Sequence, residues 1–109
     1  MPGRPFPERK PSMNRSEILD TAKACVTVDR AAVHGNAENT FGEIAQAWTW
    51  WLGGRLSAPV TAYDVGMMMA LFKLARAKGN PSHMDSVVDG AGYLALAGEM
   101  ASSGSPSTG

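Results

Sequence analysis

Residues 61–79 read TAYDVGMMMALFKLARAKG. Thr61 followed three positions later by Asp64 is a capping box, in which a hydroxyl and a carboxylate satisfy each other's backbone N–H groups at a helix start. Gly79 stands where a C-terminal cap glycine belongs, and the cations just before it suit the negative end of the helix dipole. From Val65 to Leu74 the helix is apolar on nearly all sides, which places it at the centre of a bundle or in a subunit interface.

The same grammar recurs three times. Asn14 precedes Glu17 and EILDTAKACVTVDRAAV, Thr40 precedes Glu43 and EIAQAWTWWL, and Ser82 precedes Asp85 and DSVVDGAGYLALAGEMA. Turn signals, HGNAEN, GGRLSAPV and GNPS, separate the four segments. Gly35 and Gly53 are further cap glycines. In the first segment Ile18, Ala22, Cys25 and Val26 follow the helical period, and no alternating strand pattern of useful length occurs. The expected fold is all-α, a bundle of about four helices in one domain over residues 14–100.

The ends contribute little to a core. Residues 1–13, MPGRPFPERKPSM, hold four prolines and four charged side chains and read as a flexible arm. Residues 101–109, ASSGSPSTG, read as a disordered polar tail. The remaining ~85 residues support one modest core that gains from oligomerisation.

Ten basic and ten acidic side chains give zero formal net charge. Nucleic-acid binding is not expected, because phosphate neutralisation calls for a basic excess. The single cysteine, Cys25, excludes an internal disulfide and fits a reducing cytoplasm. It reads as a small packing residue. No apolar run reaches the ~18 residues of a membrane span, and the N-terminus lacks a signal-peptide core. A cytoplasmic protein without membrane association is expected.

Chemistry concentrates in HMDSVVDGAGYLALAGE, residues 83–99. Glu43, Asp64 and Asp85 each hold the third helical position of their segment, where a carboxylate contributes ~0.5–1 kcal/mol as a cap and needs no further role. Asp89 escapes that explanation. It lies inside the helix with no basic residue within four positions, and its like-charged partner Asp85 one turn back costs ~0.2–0.5 kcal/mol. Gly90 and Gly92 each cost ~1 kcal/mol more relative to alanine. Either Asp89 lies on a solvated face and the glycines admit a neighbouring helix, or both carboxylates face a divalent cation that cancels their repulsion.

Lys73 and Arg76, three apart on one face, are either solvated end residues or ligands for phosphate oxygens. His34, at the end of the first segment, is a candidate donor to a base or phosphate. Trp48 is a candidate for stacking on a base; at least two of Trp48, Trp50 and Trp51 are expected to pack in the core or an interface. The chain has no HExxH, CxxC, P-loop or GxSxG motif, which sets aside zinc, P-loop and α/β-hydrolase chemistry.

DRAAVHGNAENTFGEIAQAW, VTAYDVGMMMALFKLARAKGN and above all HMDSVVDGAGYLAL resemble the phage-encoded, MazZ-like branch of the MazG-like all-α nucleoside triphosphate pyrophosphohydrolases. The resemblance spans about residues 15–98. It implies Mg²⁺ (or Mn²⁺) held by carboxylates one turn apart, here Asp85 and Asp89, with Glu43 and Asp64 as further ligands. Glu43, Asp85 and Asp89 would be catalytic. Lys73, Arg76, His34 and Trp48 would contact the substrate. The implied reaction cleaves a (deoxy)nucleoside triphosphate, with a purine deoxynucleotide favoured, to the monophosphate and pyrophosphate in a dimer or tetramer. The chain departs from the family pattern at Glu43, which is followed by Gln46 and Trp48 instead of further acids. It also departs in the i, i+4 spacing of Asp85 and Asp89. These departures leave a non-catalytic nucleotide-binding module, or a helical interaction module, as the alternative.

Overall fold

The computed structural model of the chain describes residues 12–29 and 37–102. Among them are four α-helices and no strand: α1 Arg15–Ala24, α2 Ala37–Leu52, α3 Ala62–Gly79 and α4 Met84–Ser102. A π-helical turn, Cys25–Asp29, continues α1, and a 3-10 turn, Gly53–Arg55, follows α2. The all-helical class expected from the sequence is the one observed. The last helix runs two residues past the expected domain boundary, to Ser102. Residues 103–109 of the tail, residues 1–11 of the arm, and His34 and Gly35 lie outside the described residues.

Two of the four capping boxes form as read. Glu17 N–H donates to Asn14 Oδ1 at 2.8 Å and Asn14 N–H to Glu17 Oε1 at 3.0 Å. Asp64 N–H donates to Thr61 Oγ1 at 3.1 Å and Thr61 N–H to Asp64 Oδ2 at 3.0 Å. The other two shift. Helix α2 begins at Ala37, so Thr40 and Glu43 lie within it; Ala37 and Glu38 favour helix enough to extend it back through the expected turn. Helix α4 begins at Met84. The tight turn Asn80-Pro81-Ser82-His83, closed by His83 N–H to Asn80 O at 3.0 Å, takes up Ser82, whose hydroxyl donates to Asn80 Oδ1 at 3.3 Å. Proline at the second position suits such a turn. Asp85 is therefore the second helical residue and not the third.

The cap glycines divide as well. Gly53 has φ +51°, the left-handed conformation for which glycine is the usual C-terminal choice. Gly79 ends α3 without it, and Asn80 is the cap. The π turn has a local cause. Thr27 Oγ1 donates to Lys23 O at 2.6 Å, occupying the carbonyl that an α-helix would offer to the Thr27 N–H. Val26, Thr27 and Val28 are also β-branched, which weakens the regular helix further.

Phe41, Ala45, Val65 and Leu96 form the buried core, with Trp48, Met69 and Tyr93 packed against it. Each large apolar side chain so buried contributes ~1.5–3 kcal/mol. The Phe41 and Tyr93 rings lie 6.1 Å apart, joining α2 to α4. Helices α3 and α4 form an antiparallel hairpin, with residue 66 facing Ala97 and residue 90 facing Lys73. Gly66 permits the closest approach: a Cβ there would stand 2.9 Å from Ala97 Cβ. Gly92 does the same toward the π turn, where an added Cβ would lie 3.0 Å from Val26 Cγ1.

Helix α3 is central on one side only. Val65, Gly66 and Ala70 are buried, while Leu71 and Leu74 are 59% and 65% exposed. Of the three tryptophans only Trp48 packs on the core; Trp50 and Trp51 are 80% and 74% exposed. Among the described residues no helix is long and apolar enough to cross a membrane.

Candidate functional site

The antiparallel hairpin brings the acidic pair and the basic pair to one seam. Asp85 and Asp89 are one turn apart on α4, so both lie on the same face. Lys73 rises from the seam face of α3 and its Nζ stands 3.2 Å from Asp89 Oδ2, with the two side chains 19% and 30% exposed. Arg76 lies one turn further along α3 and, because the helices run in opposite directions, toward the level of Asp85. Lys73 Nζ and Arg76 Cζ flank the Phe72 ring at 5.5 and 5.8 Å from its centre. Such cation–π contacts contribute ~0.5–1 kcal/mol at exposed positions.

The ion pair explains how an aspartate is tolerated inside α4. Its repulsion from Asp85 is offset by an ammonium group sixteen residues back in sequence and beside it in space. At this exposure the pair contributes on the order of 0–1 kcal/mol to stability. It therefore balances the cost of Asp89 without explaining why an acid stands there. Asp85 is held at the helix entry, where His83 Nε2 lies 3.8 Å from its Oδ2. His83 Nδ1 lies 3.3 Å from the hydroxyl of Ser86, a buried polar side chain.

Other candidates stand elsewhere. Asp64 caps α3 nine residues before Lys73, ~13 Å away at ~1.5 Å per residue. Glu43 is exposed on α2, two residues from both Phe41 and Ala45 and so on the opposite face from them. Among the described residues no three of His, Cys, Asp and Glu gather where they could hold a metal ion. Trp48 is committed to the core. His34 lies outside the described residues. The seam thus joins Lys73 to Asp89, with Asp85 and Arg76 one turn away on their own helices, and leaves Glu43, Asp64 and Trp48 apart. Two carboxylates one turn apart still suit Mg²⁺ or Mn²⁺, because such ions are commonly bound through one or two carboxylates and complete their shell with water and phosphate oxygens.

A feature not evident from sequence borders this seam. Between α4 and the π turn lies a hollow of about 130 Å³ lined by Cys25, Val26, Asp89, Gly92, Tyr93 and Leu96. On α4 these residues and Asp85 recur at i, i+4, i+7, i+8 and i+11, forming one stripe. The β-branched run after Cys25 was the available signal for the turn that closes the hollow. A second groove, about 250 Å³, lies between α3 and α4 and is almost wholly apolar, with Met67, Leu71, Leu74, Val87 and Leu94 among its walls.

These features define an all-helical protein with a mixed acidic and basic seam on a helical hairpin. The chain belongs to the family described as a domain of unknown function, DUF6378, whose model matches residues 17–101. It is similar to the Gene 55 protein of Mycobacterium phage L5, 37% identical over 83 residues that make up 76% of this chain and 51% of that protein. It is also similar to the Gene 55 protein of Mycobacterium phage D29, 34% identical over 76 residues, 70% of this chain and 48% of that protein. The chain spans about half the length of these curated relatives. No solved structure matches it.

Proposed function

We propose that this chain is a MazG-like nucleoside triphosphate pyrophosphohydrolase, cleaving a (deoxy)nucleoside triphosphate to the monophosphate and pyrophosphate. The observation that carries the reading is Lys73 against Asp89, 3.2 Å away, on the face that also presents Asp85. Carboxylates for a cation and ammonium and guanidinium groups for phosphate oxygens then meet at one place. The sequence resemblance supports the same reaction, and the phage relatives support a role in the nucleotide pool of an infected cell, in the host cytoplasm.

Asp85 and Asp89 would hold the Mg²⁺ or Mn²⁺ ion. When bound, the ion supplies charge neutralisation at the phosphates and a more acidic water. Lys73, which stands beside Asp89, would neutralise charge on the β and γ phosphates as a point charge, and Arg76 would hold them by its planar fork. Water attacks the α phosphorus, the bond from that phosphorus to the bridging oxygen breaks, and the pyrophosphate leaves with the bonding pair. The water proton would pass to a carboxylate oxygen of Asp85 not taken by the ion, Asp85 being the more exposed of the two acids, 39% against 30%.

The exposed apolar face of α3 (Met68, Leu71 and Phe72, a helical stripe) and the Trp50–Trp51 pair, whose rings lie 6.3 Å apart, support assembly as a homo-oligomer. The deciding experiment is a screen of all common dNTPs and NTPs for pyrophosphate release with Mg²⁺ or Mn²⁺. Turnover by the native chain that is lost in Asp89→Asn upholds the reading. Tight binding of a non-hydrolysable triphosphate without release by any substrate replaces it with a nucleotide-binding module.

A further inference from the structure

The hollow beside Asp89 has properties that the hydrolytic seam does not use. It is bounded by a π turn, a rare element that occurs frequently at functional sites. The turn presents Cys25 and Val26 to α4, while Gly92 removes the side chain that would otherwise meet Val26. Its walls combine a carboxylate, a phenol and a thiol with the apolar Val26 and Leu96. Its volume is about 130 Å³. A cavity of ~150 Å³ accommodates benzene, so this hollow, open to solvent on one side, is of a size to seat a single ring. Asp89 belongs to both the seam and the hollow, so whatever the hollow holds is directly joined to whatever the seam holds. From Asp89 to Leu96 the stripe runs ~10 Å along the helix axis, away from Asp85.

We propose that this hollow is the pentose subsite: the sugar ring of the nucleotide sits between Cys25 and Tyr93 while its phosphates extend along the seam toward Asp85 and Arg76. The inference rests on the pyrophosphohydrolase reading and deepens it. The pentose is the ring covalently next to the α phosphate, and it matches the hollow in size. The Tyr93 hydroxyl and Cys25 thiol are the groups that meet the sugar hydroxyls, which makes these two residues the discriminators between ribose and deoxyribose. Gly92 sets the depth. A methyl group there pushes on Val26 and shallows the hollow.

Because Cys25 is the chain's single cysteine and is only half-buried, its alkylation by N-ethylmaleimide reports on the hollow without reference to turnover. The native chain is alkylated with Mg²⁺ present, alone, with inorganic tripolyphosphate, and with a non-hydrolysable deoxynucleoside triphosphate. Ligand at ten times its dissociation constant leaves about one tenth of the protein unliganded. The nucleotide should therefore slow alkylation about tenfold, while tripolyphosphate leaves it within about twofold. Gly92→Ala should raise KM for the nucleotide with kcat little changed and leave tripolyphosphate affinity intact.

Turnover by the native chain with Cys25 alkylated at the same rate in all three conditions, or slowed equally by tripolyphosphate, overturns the subsite and leaves the hydrolase reading standing. A normal nucleotide KM in folded Gly92→Ala also overturns it. Absence of both nucleotide binding and turnover removes the hydrolase and the subsite together.

Discussion

Gly66→Ala tests the packing on which the seam depends. The added Cβ would lie 2.9 Å from Ala97 Cβ, with Ala97 Cα and Phe41 Cε2 each at 3.4 Å. Carbon atoms in contact prefer ~3.5–4.0 Å, so the first contact is short by most of an ångström. Ala97 cannot rotate away, because its Cβ is fixed to the backbone. The helices themselves must part. Overpacking of this kind costs ~1–3 kcal/mol, and the rigidity of the neighbour places it in the upper half of that range. Replacing glycine by alanine inside a helix returns ~1 kcal/mol, leaving a net loss of ~1–2 kcal/mol. For a domain of this size that lowers Tm by about 4–16 °C. Gly98→Ala is the control: it lies in α4 near Ala97, and its added Cβ meets nothing within 4 Å. It gains helix propensity without strain and should raise Tm by a few degrees, about 0.5–1 kcal/mol. Thermal unfolding by circular dichroism reads both. A Gly66→Ala protein as stable as the native chain, beside a stabilised Gly98→Ala, would refute the close approach of α3 and α4.

Asp89→Asn should reduce pyrophosphate release by about two orders of magnitude or more while shifting stability by less than ~1 kcal/mol, since its ion pair is partly exposed. A stabilised, fully active variant would point to an interaction module instead. Phe41→Ala removes the largest fully buried side chain and should cost ~3–5 kcal/mol, read by urea denaturation. Thr61→Ala breaks a formed capping box and should cost ~1 kcal/mol, whereas Thr40→Ala, within α2, should cost less. The proposed assembly predicts a native mass above that of one chain in size-exclusion chromatography with light scattering, reduced to one chain by Leu71→Lys combined with Trp51→Lys; a native chain that runs as a monomer overturns it, and an unchanged oligomeric mass in the variant places the interface elsewhere.

The helix count was legible because helix starts are written locally. A hydroxyl or amide side chain and an acid three residues apart carry their meaning wherever the chain goes, as the formed boxes at Asn14 and Thr61 show. The boxes at Thr40 and Ser82 shifted because neighbours competed: Ala37 and Glu38 for helix, and the Asn80-Pro81 turn for Ser82. Asp89 was legible as an anomaly, an interior acid with no cation within a turn. Its partner Lys73 was not, because a hairpin register cannot be read from either helix alone. Gly92 was ambiguous for the same reason, since its neighbour Val26 arrives from the other end of the chain. The hollow depends on a hydrogen bond between Thr27 and Lys23 that widens one turn of helix, and residue spacing alone does not predict it.

The four-residue connection between α3 and α4 has a consequence for the order of assembly. Lys73, Arg76, Asp85 and Asp89 all belong to one hairpin, so the contacts that gather them are local and form on the fast timescale of helical elements. The hollow instead requires α1 to close on α4 across some sixty residues, a slower step with a larger entropy cost. A nascent chain would therefore display its charged seam before the hollow exists, and anionic ligands could engage a half-built molecule.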